Sequence, residues 1–476
     1  MMASLIRPSM QLPFLKESCA AINVSACGIS LDLSRQRLTQ EDLKGLIKHA
    51  GEAALLDAFR EMCAGAVVNR SESRPALHTA LRSFDSASPH FAEVDAERRR
   101  MLAFADRIFS EGRIDDVINI GIGGSEMGPH AVWHALQPLK PRIRLHFLST
   151  VDGTLQDRIL SRCNPHRTLA IVSSKSFGTR ETMVNAEMVD EWFAEAGIVG
   201  EARNDHMVTV SAKTDAAESM GLRPENGFRI WPWVGGRFSV WSSIGLPLAI
   251  GLGKEKFLDF LRGANAMDKH AMTAPLENNL PALLALLAYW DAVRLEIPSR
   301  CLLPYDSRLD GMPAWLQQLE MESLGKNRLA DGSGMALTRT GQGIWGSNGN
   351  KGQHSFYQWL REGAWCTSID LVKVCNPGHG HAKMARVLNA NAEAQAEALV
   401  TRQDDRCFNS VLTLSLADLK PETLGAFMAM YEHKVAMLGM LLKINPFDQP
   451  GVEFAKKIAN LLENKTFVDV SITDSN

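Results

Sequence analysis

The amino-acid sequence predicts an α/β protein that contains parallel sheets covered by helices. From about residue 115 onward, short aliphatic runs alternate with longer amphipathic segments, and a second series follows an apolar stretch at 280–290. Strand-like runs separated by helix-like segments are typical of parallel strands joined by crossover helices. The chain has 476 residues, which favours two domains over one. We therefore expect two α/β units joined near residues 255–280.

The elements are assigned in order along the chain. Apolar residues at three- and four-residue spacing predict helices within 38–82. The predicted strands are 117–122, 145–148, 169–172 and 207–210 in the first unit, and 301–303, 369–374 and 410–416 in the second. The predicted domains are an N-terminal helical region at 1–90, a smaller first domain at 91–260, a larger second domain with a C-terminal helix at 261–462, and a tail at 463–476.

The composition excludes several classes of protein. The net charge is −3 and no block of like charge stands out, which gives little support to a nucleic-acid partner or a membrane surface. The apolar stretch at 280–290 is too short to span a membrane and predicts a buried helix. None of the eight cysteines forms a C-x-x-C pair, so we expect reduced thiols and a cytoplasmic location.

A glycine-rich loop follows the first predicted strand. Gly121, Gly123, Gly124 and Gly128 surround Ser125. An acidic residue stands where a dinucleotide-binding G-x-G-x-x-G loop has its third glycine, and it would face a pyrophosphate badly. Two interpretations remain. The loop is either a tight turn without a ligand, or it holds a small anion or sugar on backbone N–H groups at a helix N-terminus.

The next strand–helix junction carries a dense set of donors. Ser174, Lys175, Ser176 and Thr179 fall within six residues, without the G-x-x-x-x-G-K-[ST] pattern of a nucleotide-binding P-loop. Hydroxyls, backbone N–H groups and a helix dipole suit a phosphate monoester. The alternative is a polar turn in which Thr179 caps the following helix.

A third candidate is an arginine beside glycines. Arg237 follows Gly235 and Gly236 and precedes an apolar stretch. A weakly hydrated guanidinium at such a position can hold an anion. The alternative is an ordinary structural salt bridge.

A fourth candidate is a glutamate on an apolar helical face. Glu322 follows Trp315 and Leu319 at helical spacing, and Gln318 lies one turn before it. A carboxylate in such a place suits a general base. The alternative is a boundary glutamate paired with Lys326 four residues later.

Two further residues stand apart from these loops. His354 follows a glycine-rich segment and precedes aromatic residues. Histidine moves protons near neutral pH, although a histidine at a helix start is also satisfied by backbone groups. Lys456 lies near the C-terminus, where a surface charge is the ordinary interpretation.

Taken together, these stretches resemble the glucose-6-phosphate isomerase (phosphoglucose isomerase) family, whose members contain two sugar-isomerase (SIS) domains. The resemblance runs in order from about residue 30 to 462. Its motifs are NRSESRPALHTALR (69–82), GIGGSEMGP (121–129), STVDGT (149–154), SSKSFGTRET (173–182), VGGRFSVWSSIGL (234–246), MESLGK (321–326), GQHSFYQ (352–358), YEHK (431–434) and INPFDQPGVEFAK (444–456).

The resemblance implies a role for each candidate. Glu322 would move a proton between C2 and C1 of the sugar, and Arg237 would stabilise the enediolate. His354, contributed by the neighbouring subunit of a homodimer, would assist ring opening with Lys456. The residues implied to bind the sugar phosphate are Gly124, Ser125, Ser174, Lys175, Ser176, Thr179, Gly236, Gln318 and Gln449. The implied reaction needs no cofactor and no metal.

Several positions depart from the family pattern. Ser176 and Gly178 replace threonines, Leu324 and Lys351 replace asparagines, and Pro450 replaces a tryptophan. None of these changes removes a proposed catalytic group. We therefore expect an isomerase that interconverts glucose 6-phosphate and fructose 6-phosphate in glycolysis and gluconeogenesis. The alternative is a sugar-phosphate-binding regulator on the same fold that does not turn over its ligand.

Overall fold

The structure is a computed structural model that describes residues 22–334, 339–401, 409–452 and 458. Its elements are labelled in chain order. The strands are β1 Asn23–Ala26, β2 Ile29–Asp32, β3 Asp116–Ile120, β4 Arg144–Leu148, β5 Thr168–Ser173, β6 Met207–Ser211, β7 Gly227–Arg229, β8 Ser299–Pro304, β9 Gly343–Gly346, β10 Ser368–Asn376 and β11 Ser410–Asp418. The helices are α1 Gln40–Glu52, α2 Leu55–Cys63, α3 Phe91–Glu111, α4 Met127–Leu136, α5 Gly153–Leu160, α6 Arg180–Glu195, α7 Ala216–Ser219, α8 Leu246–Leu252, α9 Lys254–Thr273, α10 Leu280–Tyr289, α11 Met312–Gln317, α12 Gly349–Gly352, α13 Tyr357–Glu362, α14 Ala382–Val400 and α15 Pro421–Leu441.

The first sheet is parallel throughout, in the order β4-β3-β5-β6-β7. Strands β3, β5 and β6 are buried along their whole length, which explains why most of their residues are apolar. The four strands predicted for this unit are confirmed as β3 to β6. The three-residue β7 was not anticipated, because a run so short shows no periodicity.

The second sheet has the order β1-β2-β11-β10-β8-β9. Strands β9, β8, β10 and β11 are parallel, so the predicted parallel sheets are confirmed in both units. Strands β1 and β2 form an antiparallel hairpin, and β2 pairs antiparallel with β11. The sequence predicts only helices in this part of the chain, so the hairpin is a difference from the prediction. Its strands are four residues long and contain serine and asparagine, which weakens the signal for a strand.

The main hydrophobic core lies between the two sheets. Helices α9, α10 and α15 run through it, and the predicted helix at 280–290 is confirmed as the almost completely buried α10. Two smaller apolar clusters cover the other faces of the sheets, one under α6 and one under α13 and α14. Both sheets are thus covered by helices on both faces, as a doubly wound fold requires. Within the described residues, every helix is too short or too polar to cross a membrane.

Among the described residues the cysteines differ from the expectation at Cys366, while Cys19 and Cys407 lie outside the described residues. Five of them, at 27, 63, 163, 301 and 375, are free thiols. Cys366 instead forms a disulfide, so the expectation that all cysteines are reduced is wrong there. Residue spacing does not predict this bond, because a disulfide requires two cysteines to lie close together in the fold.

Candidate active site

The site lies at the point where the strand order of the first sheet reverses. From β3 the chain crosses to β4 on one side, and later to β5 on the other. The loops that leave β3 and β5 therefore diverge around a crevice at the carboxyl ends of these strands, where open α/β sheets bind ligands. The glycine-rich loop of residues 121–125 follows β3, and the loop of residues 174–179 follows β5. We call the second of these the phosphate loop, after the ligand that the sequence predicts for it.

The glycine-rich loop touches the segment that carries Arg237. A Cβ atom placed on Gly124 would lie 2.1 Å from the backbone of Gly236, so only glycine fits there. Gly124 also accepts a hydrogen bond through its carbonyl from Ser239 Oγ at 3.3 Å. At Gly123, φ is +60°, and an added Cβ would lie 3.0 Å from Nε2 of Gln318. Three segments that are distant in sequence thus converge here.

The phosphate loop closes on itself. Ser174 is buried and its hydroxyl donates to Thr179 Oγ1 at 3.4 Å, while Ser176 is exposed. Phe177 has φ of +48°, a left-handed conformation that costs free energy and is characteristic of functional loops. Thr179 stands at the N-cap position of α6, but its side chain makes no capping hydrogen bond. The interpretation of Thr179 as a hydroxyl cap is therefore wrong.

Lys175 connects the phosphate loop with the Arg237 segment. Its Nζ donates to the carbonyl of Pro232 at 2.9 Å and to that of Val234 at 2.6 Å. Burial, together with the nearby Arg74 guanidinium, lowers the pKa of Lys175 to about 8. Among the residues that the structure describes, no carboxylate is in hydrogen-bond contact with Lys175, and a partly buried cation of this kind favours an incoming anion.

Arg237 is at the centre of the site, with its side chain 1% exposed. Nε donates to Ser323 Oγ at 2.6 Å, and Nη1 donates to Glu322 Oε1 at 3.1 Å. Burial lowers the pKa of Arg237, and the Glu322 carboxylate opposes that shift. The three remaining acceptors are Gln449 Oε1 at 3.1 Å, the carbonyl of Pro446 at 2.6 Å and the carbonyl of Asp448 at 3.2 Å.

Glu322 ends a π-helical segment, Gln318–Glu322, which continues α11. Such wide turns are rare in proteins overall, but those that occur are often found at functional sites. Its carboxylate is 23% exposed and contacts Arg237. Lys326 bonds instead to the carbonyls of Glu322 at 2.6 Å and Asp448 at 2.8 Å, so the predicted alternative of a Glu322–Lys326 side-chain pair is wrong.

The loop that carries Gln449 is held from several sides. Asp448 accepts hydrogen bonds through Oδ2 from Ser71 Oγ at 2.5 Å and from Asn445 Nδ2 at 3.0 Å. Asn445 Nδ2 also donates to Asn69 Oδ1 at 2.9 Å. Gln449 is a predicted site residue, but these supporting residues were not predicted, because motifs far apart in the chain do not show which of them meet.

His354 lies apart from this group. It occupies an exposed turn, and among the described residues its ring forms no hydrogen bond with Arg237 or Glu322. The neighbouring Lys351 donates to Asp310 Oδ2 at 2.9 Å, so its unusual charge is paired. Leu324 is 1% exposed and packs in the main core. Lys456 lies outside the described residues.

One cluster of possible metal ligands occurs among the described residues, away from this site. Asp116, His146 and Cys163 offer ligand atoms within 4.8 Å of one another. Asp116 lies at the amino end of β3, opposite the end where the glycine-rich loop begins. Its carboxylate already accepts two hydrogen bonds from Arg144 and one from His146. We assign this cluster no part in the site.

The fold and the site define an α/β protein with one parallel and one mainly parallel sheet, whose polar loops meet around a buried arginine paired with a glutamate. Comparisons with known proteins place it more narrowly. The sequence matches the phosphoglucose isomerase family over residues 32–476. Glucose-6-phosphate isomerase of Paraburkholderia phymatum is 41% identical over 468 residues, covering 92% of this chain and 86% of the relative. That of Paraburkholderia xenovorans is 41% identical over 464 residues, with the same coverage of 92% and 86%.

Comparison with solved structures gives the same family. The crystal structure of a glucose-6-phosphate isomerase from Chlamydia trachomatis superimposes with a TM-score of 0.87 at 30% identity, over 93% of this chain and 90% of that one. A hypothetical protein from Thermus thermophilus gives a TM-score of 0.72 at 28% identity, over 91% of this chain and 99% of that one. The chain belongs to the phosphoglucose isomerase family.

Proposed function

We propose that the protein interconverts D-glucose 6-phosphate and D-fructose 6-phosphate by moving the carbonyl group between C1 and C2. One observation carries this proposal more than any other. Glu322, a partly exposed carboxylate, lies 3.1 Å from the buried guanidinium of Arg237 in the crevice beside the phosphate loop. A base and an anion stabiliser side by side are what proton transfer next to a carbonyl requires.

The reaction proceeds through an enediolate. Glu322 takes the proton from C2 of the open-chain aldose, the C–H electron pair forms the C1–C2 double bond, and negative charge develops on O1. Arg237 stabilises that charge from a fixed position, which costs no reorganisation during the reaction. Glu322 returns the proton to C1, while the proton of the C2 hydroxyl passes to O1, which gives the ketose.

The phosphate group binds at the loop after β5. Ser174, Ser176 and Thr179 offer hydroxyls, Lys175 offers a cation, and α6 directs the positive end of its dipole toward the loop. Gly124, where an added Cβ would meet the backbone of Gly236, keeps the two backbones close enough for the sugar to reach both loops. Ser125, Gln318 and Gln449 complete the pocket.

Ring opening needs further groups. We assign it to His354 and Lys456, with His354 supplied by the partner subunit of a homodimer. The exposed position of His354, outside the Arg237–Glu322 group of its own chain, supports this assignment. The same part of the chain exposes large apolar side chains, Trp359 at 45% and Trp365 at 67%, as an interface between copies would require. We also propose that the protein acts in glycolysis and gluconeogenesis, in the cytoplasm.

A coupled assay tests the function. Fructose 6-phosphate is supplied with EDTA present, and glucose 6-phosphate is detected with its dehydrogenase. We expect turnover that EDTA does not abolish. A protein that fructose 6-phosphate protects against heat, but that shows no turnover, would be a sugar-phosphate-binding regulator instead.

A further inference from the structure

Four consecutive residues in the middle of α15, Tyr431 to Lys434, are 0% exposed and each binds a different part of the protein. Successive residues of a helix point about 100° apart, so four of them reach in four directions. The bonds are Tyr431 Oη to Asp370 of β10 at 2.9 Å, Glu432 to Trp241 Nε1 at 2.8 Å, His433 to Asp268 of α9 at 2.6 Å, and Lys434 to Glu320 at 2.5 Å.

The Lys434–Glu320 pair is buried on both sides. The side chain of Lys434 is 1% exposed and that of Glu320 is 4% exposed. Burying two charges is costly, and a simple apolar pair would fill the same space more cheaply. A buried pair of this kind therefore requires an explanation beyond stability, and a defined local geometry is one.

Glu320 lies in the π-helical segment Gln318–Glu322. It stands between Gln318, which lies beside Gly123, and Glu322, which contacts Arg237. A π turn holds its shape poorly without outside contacts, because its hydrogen bonds depart from those of the α-helix on either side. Lys434 supplies such a contact from a helix fixed in the main core. The position of Glu322 therefore depends on the tie made two residues earlier.

Helix α15 also contacts the segment that carries Arg237. Glu432 accepts a hydrogen bond from the indole of Trp241, which follows Arg237 by four residues. Arg82 donates to Glu432 at 2.5 Å, so this contact too is paired within the core. Helix α15 thus holds both the segment with the base and the segment with the anion stabiliser.

We propose that Lys434 is a positioning residue, which through Glu320 holds the π turn so that the Glu322 carboxylate faces Arg237 and the substrate. This inference rests on the proposed isomerase function. Lys434 touches neither substrate nor reacting atoms, and its effect is on the placement of the base. Losing that effect lowers the rate of the chemical step and leaves binding of the phosphate group intact, because Lys434 makes no contact with the phosphate loop.

The variant Lys434→Met tests the proposal, with Tyr431→Phe as the matched control. Both changes remove one buried polar contact from the same helix, but the contact of Tyr431 is to β10, not to the π turn. We expect Lys434→Met to lower kcat by about tenfold or more with KM for fructose 6-phosphate within about threefold. We expect Tyr431→Phe to lower the melting temperature while kcat per folded protein stays within about twofold.

A second variant tests whether misfolding, caused by a lone buried charge, explains the loss of kcat. Glu320→Gln/Lys434→Met leaves no lone charge in the core, and we expect it to fold with the same low kcat. Wild-type kcat in either folded variant overturns the proposal and makes the pair merely structural. Amide hydrogen exchange of residues 318–325 gives a readout without turnover: exchange faster than in Tyr431→Phe supports the tie, and unchanged exchange overturns it. A wild-type protein without turnover would refute the proposed function alone.

Discussion

Replacing Arg237 with lysine keeps the positive charge but removes the planar group that organises the site. Arg237 donates five hydrogen bonds, to Ser323, Glu322, Gln449 and two backbone carbonyls. A lysine ammonium has three donors on one nitrogen, so at least two of these acceptors lose their partner. The perturbation is therefore a change of geometry at constant charge.

The structure sets the size of the effect. An unsatisfied buried polar group costs about 1–3 kcal/mol, so two of them lower the free energy of unfolding by about 2–6 kcal/mol. The catalytic loss is separate. Removing one preorganised donor from a developing oxyanion costs about 10²–10³-fold in kcat, and we expect Arg237→Lys to fall in that range.

The assay is kcat by coupled detection of glucose 6-phosphate, together with thermal unfolding of the same samples. Arg229→Lys is the matched control, since Arg229 is 49% exposed and contacts Glu93 at 3.2 Å on the surface. We expect it to cost less than about 1 kcal/mol and to leave kcat unchanged. An Arg237→Lys variant that loses stability but keeps kcat within about threefold would refute the role of Arg237 in stabilising the enediolate.

Three further predictions concern the base, the loop contact and the phosphate. Glu322→Gln keeps the shape of the side chain but not its basicity; kcat should fall by about 10²–10⁴-fold while calorimetric binding of fructose 6-phosphate changes little, and near-normal turnover would remove Glu322 from the base role. Gly124→Ala places a methyl group 2.1 Å from the backbone of Gly236. It should lower both the melting temperature and kcat, whereas Gly153→Ala, with nothing within 4 Å, should change neither. Because the pKa of Lys175 is lowered to about 8, its ammonium loses the proton as pH rises through about 8, well below the usual lysine value. Wild-type kcat/KM should therefore fall between about pH 7 and 9, and Lys175→Met should show a higher KM without that part of the fall; identical pH profiles would place the phosphate elsewhere.

Much of the fold was accessible from the sequence, because strands buried on both faces of a parallel sheet are rich in aliphatic residues. Strands β3, β5 and β6 are buried at every position, and the strands predicted from their aliphatic runs are confirmed. The hairpin of β1 and β2 has no such signature. It completes the second sheet by pairing with β11, whose sequence lies almost four hundred residues later. Only the pairing itself shows where that hairpin belongs.

The residues of the candidate site were predictable from the sequence, but the contacts between them were not. Glycines, hydroxyls and isolated charges at strand–helix junctions are local features, so the sequence identified Gly124, Ser174, Lys175 and Arg237 as candidates. Their partners are not local. That Lys175 bonds to the carbonyls of the Arg237 segment follows from the approach of two loops, which no spacing along the chain encodes.

The sequence by itself determined the class of fold, the order of the motifs and the chemistry available at each strand end, because these depend on residue type and short-range periodicity. The tertiary structure decided which charges pair. In the folded chain the Glu322 carboxylate pairs with Arg237 and not with Lys326, and Lys434 pairs with Glu320 in the core. Pairing energies depend on distance and burial, and both are fixed only when separate segments pack together.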